Sequence, residues 1–305
     1  MASPPITGGR RSLTDRRGDP RRRRILLVRS APVADDVPYR FERIAELEVL
    51  RWPGLEGLSA VVTTRDGGVS TGAYQSLNLG LHVGDDPGRV IENRARAART
   101  VGLGIDDLVF CNQVHGRVVA EVTGADRGRG ARSVETAVGG ADALVTTDRT
   151  VGLVVMVADC VPIVLHDPVA GVLACVHAGW GGTVARVGEA AVEAMRALGA
   201  RPDRILAGMG PAIAPADYQV GQDVADAAQA AFGALTDDLV VPDGQGRYHF
   251  DLWSANVATL TASGVLEGHI HRADIATSDP RFFSDRAVRP CGRFAALATL
   301  AAPGQ

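Results

Sequence analysis

Residues 152–177 read GLVVMVADCVPIVLHDPVAGVLACVH. Two β-branched, apolar runs, Gly152–Ala158 and Val172–His177, are bounded by Asp, Pro and Gly, as strands buried on both faces are. Between them, Val161-Pro162 reads as a breaker. Working outward, Leu58–Thr64, Leu108–His115, Arg117–Val122, Ala143–Thr147, Ile205–Met209 and Phe294–Leu300 carry strand-like runs, and Ser76–Val83 (SLNLGLHV) alternates. A helix starts at Asp86, a capping residue, with Pro87 in first position and Gly102 at its end. Thr183–Leu198 reads as a second helix, N-capped by Thr183 and closed by Gly199. Gln222–Phe232 and Leu252–Ala262 are helical, the latter capped by Asp251. The elements intersperse without strict alternation. The expected fold is α/β, a single layered domain with mixed β-sheets flanked by helices.

Composition narrows the function. All 32 basic residues are arginine. Without lysine there is no Schiff base and no P-loop lysine. Eight of the arginines fall within Arg10–Arg24, so residues 1–40 are expected to be a disordered, Arg-rich arm ahead of a catalytic domain at 41–305. The rest of the chain sets 24 Arg against 33 acidic residues, and an acidic body argues against nucleic acid as a partner. No apolar run approaches the roughly 18–20 residues that span a bilayer. Ile25–Val28 is too short for an export signal, which needs about 7–15 apolar residues. A cytoplasmic protein is expected. The cysteines are Cys111, Cys160, Cys175 and Cys291, with no CxxC spacing. A metal site would therefore be assembled from distant segments.

Three possible ligands close predicted strands: His115, Cys160 and His177. Each precedes a turn or breaker, where functional loops converge. One thiolate and two imidazoles suit Zn2+, with Cu2+ as the alternative, and three protein ligands leave one coordination position for water or substrate. The same residues also suit a plain interior, since Cys at a strand end is commonly a small core residue.

The surrounding words are more distinctive. They are TTRDGGVSTGAYQSLNLGLHVGDDP (63–87), ENR (92–94), NQVHG (112–116), ADCVPIVLHDP (158–168), HAGWGGT (177–183), GPAIAPADYQV (210–220) and FDLWSAN (250–256). In order, they resemble the motif series of the YfiH-like family, also named laccase-domain or polyphenol oxidoreductase, over about residues 45–300. That resemblance implies a metal held by His115, Cys160 and His177. It further implies phosphorolysis of adenosine, inosine and methylthioadenosine to free base and pentose 1-phosphate, with adenosine deamination as a side activity. The partners would be a purine nucleoside and phosphate, and the protein a monomer or homodimer. Seven histidines are too few for multicopper oxidation.

Substrate-side candidates follow from the same words. Arg65 suits an anion, or solvent. Asn78 and Gln113 suit base or ribose. Asp159 suits a proton or a turn cap. Gly179, Trp180 and Thr183 open the HAGW segment, whose amides suit phosphate or merely a tight turn. His82 is either a pocket residue or a strand-end histidine, and His166 reads as structural. Two departures matter. The family pattern HAGWRG has Gly181 in place of its Arg, and the pattern FFSYRRDGxTGR is eroded to Phe282–Arg293 (FFSDRAVRPCGR). They motivate one alternative, a diverged, non-catalytic metal-binding relative; a second is a Cys-dependent hydrolase or amidase with Cys160 as nucleophile and His177 or His115 as base.

Overall fold

A computed structural model describes residues 37–55 and 57–300. The Arg-rich stretch at 10–24 lies outside the described residues. Two six-stranded sheets and one three-stranded sheet organise the fold. The first sheet runs β1 (Arg40–Ile44), β2 (Leu47–Arg51), β3 (Leu58–Thr63), β15 (Phe294–Leu300), β7 (Gly152–Val157) and β4 (Leu108–Phe110). The second runs β14 (Ile270–Arg272), β10 (Leu206–Met209), β8 (Val161–Asp167), β9 (Val172–Ala178), β6 (Ala143–Thr146) and β5 (Val119–Glu121). A small sheet of β11 (Gln219–Val220), β13 (Tyr248–Phe250) and β12 (Val240–Pro242) lies apart. Pairing is antiparallel except for β4 with β7, β5 with β6 and β10 with β14.

The apolar runs are continuous because the central strands are covered on two faces. β7, β8, β9 and β15 are buried throughout. Side chains alternate across each strand. Leu153 and Val155 of β7, Phe294 and Ala296 of β15, Val164 of β8 and Leu173 of β9 meet between the two large sheets. The opposite face of the first sheet, with Val154, Met156 and Leu297, packs under α1 (Pro87–Arg99) through Ala97 and Ala98. The outer face of the second, with Ile163, Leu165, Ala174 and Val176, packs on α3 (Val187–Ala197), α4 (Gln222–Phe232) and α6 (Leu252–Ala262). Two short helices, α2 (Trp180–Val184) and α5 (Thr236–Leu239), complete the set. The result is a four-layer α/β arrangement of mixed sheets flanked by helices.

Several local expectations hold to the residue. α1 is capped by Asp86, whose carboxylate accepts from the Arg89 amide, and α6 by Asp251, which accepts from Ser254. Others need correction. The helix expected from Thr183 is two helices. Gly179 caps α2, Thr183 lies inside it, and the chain breaks at Arg186 with φ of 61° before α3. Two glycines in one turn weaken the first helix. Val161-Pro162 does not break the sheet but begins β8, and the ladder to β10 starts only at Ile163. Ser76–Val83 forms no strand, because side chains capture its main chain: Asn93 donates to the carbonyls of Ser76 and Asn78, and Arg94 to that of Leu79. The run expected to reach His115 stops at Phe110.

Leu153 is fully buried between the sheets, whereas Val169 is 71% exposed. Leu153→Ala is expected to lower the unfolding free energy by about 2–5 kcal/mol, and Val169→Ala by less than about 0.5 kcal/mol. Urea denaturation checks both, and equal effects would show that the inter-sheet layer is not the core.

Candidate metal centre

The link from β7 to β8 carries the chain from one large sheet to the other in three residues, Ala158-Asp159-Cys160. So sharp a crossover forces unusual backbone, and Asp159 takes φ of 94°. It delivers Cys160 to the open end of the sheet sandwich. His177 arrives from the adjacent strand, where β9 pairs Pro162 with His177. His115 arrives on the loop after β4, itself at φ of 59°.

One buried carboxylate arranges both histidines. Asp142, fully buried, accepts from His177 Nδ1 at 2.8 Å and from the amides of His115 at 2.8 Å and Gly116 at 2.7 Å. This ends the expected strand early, because the Val114–Gly116 amides turn toward Asp142 instead of pairing with a neighbour. With Nδ1 committed, His177 presents Nε2 to the site. The His115 and His177 rings meet edge-on at 4.7 Å, and Cys160 Sγ lies 3.7 Å from His115 Nε2.

Charge follows the geometry. Burial alone would raise the Cys160 thiol, but the His177 and His115 imidazoles outweigh it and favour the thiolate. Burial would likewise disfavour a proton on His177, yet the Cys160 thiolate and Asp142 carboxylate push its pKa up. Burial would raise Asp142 too, but His177 and the amides hold it low. Cys111 shows the contrast: burial, with the charge of Asp142, pushes its thiol up to about 12.

The three ligand atoms lie within 4.8 Å of one another. Sulfur and nitrogen ligands at about 2.3 and 2.0 Å from a tetrahedral ion stand roughly 3.5 Å apart, so this donor set fits a metal. Among the described residues it is the one such group of three His, Cys, Asp or Glu. Gly179 makes room for it, since a Cβ there would sit 2.6 Å from His115 Cδ2 and 2.8 Å from Cys160 Sγ. Gly181 is as constrained, its Cβ position lying 2.8 Å from the His115 carbonyl oxygen.

The centre opens onto a cavity of about 650 Å3. Gln113, Asp159 and Trp180 line it, and so does His82. Gln113 is occupied, bonding the Met156 amide and carbonyl with its own side-chain amide. The Asp159 carboxylate accepts from Thr277 Oγ1 and the Arg286 amide. Besides Gly179, three candidates lie off the cavity wall. Arg65 donates to the Gln75 carbonyl and stacks over Phe283. Asn78 is fully buried, bonded to Gly80, Asp85 and the Arg293 amide. Thr183 accepts from Asn256 inside α2. His166 bonds the Val172 carbonyl within the core. Sequence reasoning passed over Asp142, which no motif marks. It also gave no role to Arg94 and Tyr218, cavity residues that sit inside the quoted words ENR and GPAIAPADYQV.

The profile of a family described as "Multi-copper polyphenol oxidoreductase laccase" matches residues 59–301. The chain belongs to this YfiH-like, laccase-domain family. Relatives carry other names. A Deinococcus radiodurans protein named purine nucleoside phosphorylase is 42% identical over 240 residues, covering 79% of this chain and 87% of its own length. A protein named adenosine deaminase RL5, from an unknown prokaryotic organism, is 42% identical over 226 residues, covering 74% and 86%. The crystal structure of YlmD from Geobacillus stearothermophilus superposes with a TM-score of 0.82 at 37% identity, covering 87% of this chain and all of that one. Bacillus licheniformis YfiH gives 0.82 at 32%, covering 86% and 99%. At family level this supports a nucleoside-processing enzyme.

Asp142→Asn keeps the shape but turns an acceptor edge into a donor. It is expected to weaken metal binding about 10–100-fold, measured by competition with a chromophoric chelator. Gly179→Ala is expected to abolish stoichiometric metal while far-ultraviolet circular dichroism stays unchanged. Undiminished metal affinity in both variants would remove these residues from the centre.

Proposed function

We propose that this chain is a metal-dependent purine nucleoside phosphorylase. Adenosine, inosine or methylthioadenosine reacts with inorganic phosphate. A phosphate oxygen bonds to C1′ as the C1′–N9 bond breaks, and the electron pair stays with the purine, which takes up a proton. The observation carrying this reading is the thiolate–imidazole cluster opening onto a nucleoside-sized cavity, in a chain 42% identical to a protein of that name. Adenosine deamination is a side activity on this reading, in keeping with the name of the second relative.

The ion we assign is zinc, with copper as the alternative, held by His115, Cys160 and His177; when bound it supplies a Lewis acid. Other roles belong to the chain. Trp180 offers an aromatic face for a purine, whereas the Tyr218 ring already stacks on Phe250 and lies under the Arg286 guanidinium. Burial keeps the Tyr218 hydroxyl protonated, ready to donate toward a base or sugar oxygen. Asp159 and Gln113, whose polar atoms are engaged, position the walls instead of moving protons. The cytoplasm suits four unpaired cysteines.

A second reading rests on the same contact. Cys160 beside two imidazoles also resembles the nucleophile of a Cys-dependent hydrolase. Metal content separates the two, because a ligated thiolate is not a free nucleophile.

Purified protein with its metal quantified is expected to release free base from adenosine, inosine or methylthioadenosine only when phosphate is present. Cys160→Ala is expected to lose both metal and activity. Stoichiometric metal with no base released, and no inosine formed from adenosine, would overturn the reading in favour of a non-catalytic relative.

A further inference from the structure

We propose that Arg94, together with Arg293 and His82, forms a subsite for a phosphate dianion in the cavity that holds the metal centre. The proposal rests on the phosphorylase reading only for the source of that phosphate.

Arg94 is the anomaly. It lies on α1, is only 1% exposed, and yet lines the cavity. Its Nε donates to the Leu79 carbonyl, one terminal nitrogen to the carbonyls of Gly130 and Ala131, and the guanidinium lies 4.0 Å over the Phe110 ring. The other terminal nitrogen has the Met156 sulfur at 3.5 Å, a weak acceptor. None of these partners is a carboxylate. A buried cation without a counter-ion is disfavoured, and burial accordingly lowers this guanidinium to about 9. It remains charged at neutral pH on the cavity wall, and the terminal nitrogen set against the sulfur is the one with donor capacity to spare.

Its neighbours add to the imbalance. His82 and Arg293 line the same cavity as Arg94, and burial, with the charges of Arg293 and Arg94, lowers the His82 pKa. A neutral imidazole still offers one N–H. Arg293 donates one terminal nitrogen to the carbonyls of Cys291 and Gly292 and the other to Asp285 at 3.2 Å, a carboxylate it shares with Arg289. Asp159, the other acid on the wall, is already engaged. The wall therefore carries more positive charge than its acids balance. Arg94 and Arg293, with Arg286 and Arg289 on the same wall against two acids, Asp159 and Asp285, match the double charge of phosphate better than the single charge of a carboxylate.

The test uses full-length, metal-loaded protein at constant ionic strength, with calorimetric titration of inorganic phosphate in one arm and of a nucleoside 5′-monophosphate in the other. Arg94→Gln and Arg293→Gln are compared with wild type, each first checked for an unchanged near-ultraviolet spectrum. Expected is saturable phosphate binding, weakened at least tenfold in each folded variant. In turnover, the KM for phosphate should rise by a similar factor while that for nucleoside moves less than twofold. If only the monophosphate binds, and tighter than its nucleoside by a margin the variants erase, the subsite stands and the phosphate belongs to the substrate. Phosphate binding without turnover would keep the subsite and remove the phosphorylase reading. Phosphate-dependent turnover with an unchanged KM for phosphate in folded variants, or no binding of either anion, would overturn the subsite.

Discussion

The Asp142 carboxylate is the contact on which the centre depends. It accepts main-chain protons from one loop and a ring proton from His177, and it does so fully buried. An ionised carboxylate is tolerated there because every approach to it is a donor. The same bonds fix the His177 ring and the backbone of His115, so loop conformation and ligand orientation are set together. Neither histidine could be displaced without leaving a buried charge unmet.

Around that point the two sheets divide the work. The first sheet lends β7, the second lends β8 and β9, and the three-residue link between β7 and β8 places the thiol where both end. The site thus belongs to neither sheet but to the seam. Helices outside the sheets shut water away from the strands, which lets the central runs be apolar without alternation. α1 does more than cover: it sends Arg94 through to the cavity.

Much of this was legible in the residues. Runs such as Phe294–Leu300 and the capped segment Leu252–Ala262 have bounds set by local chemistry, a β-branched or apolar run on one side and an Asp cap with a closing Gly on the other. Where tertiary contacts outweigh local preference, the sequence misleads. Pro162 looked like a stop but lies where the β10 ladder has not begun. Ser76–Val83 alternates like a strand, yet Asn93 and Arg94 hold its carbonyls. The His115, Cys160 and His177 group, which the fold brings together, was legible as three residues at predicted strand ends and, more strongly, as words of a family. Asp142 was not, because a single Asp before a strand has no spacing to mark it. Nor did a motif distinguish Asn78, buried behind the cavity, from Gln113 on its wall.

The C-terminal segment holds the turn that carries Cys160 through an unusual handle. Asp159 accepts from the hydroxyl of Thr277 and from the main-chain amide of Arg286. A backbone amide is present whatever side chain accompanies it, proline aside. Residues 285, 287 and 288 can therefore change, as they have here relative to the family pattern, and reshape the cavity wall without loosening the turn that carries Cys160. Such a tether separates the inheritance of the wall from that of the ligands, leaving one free to drift while the other stays fixed.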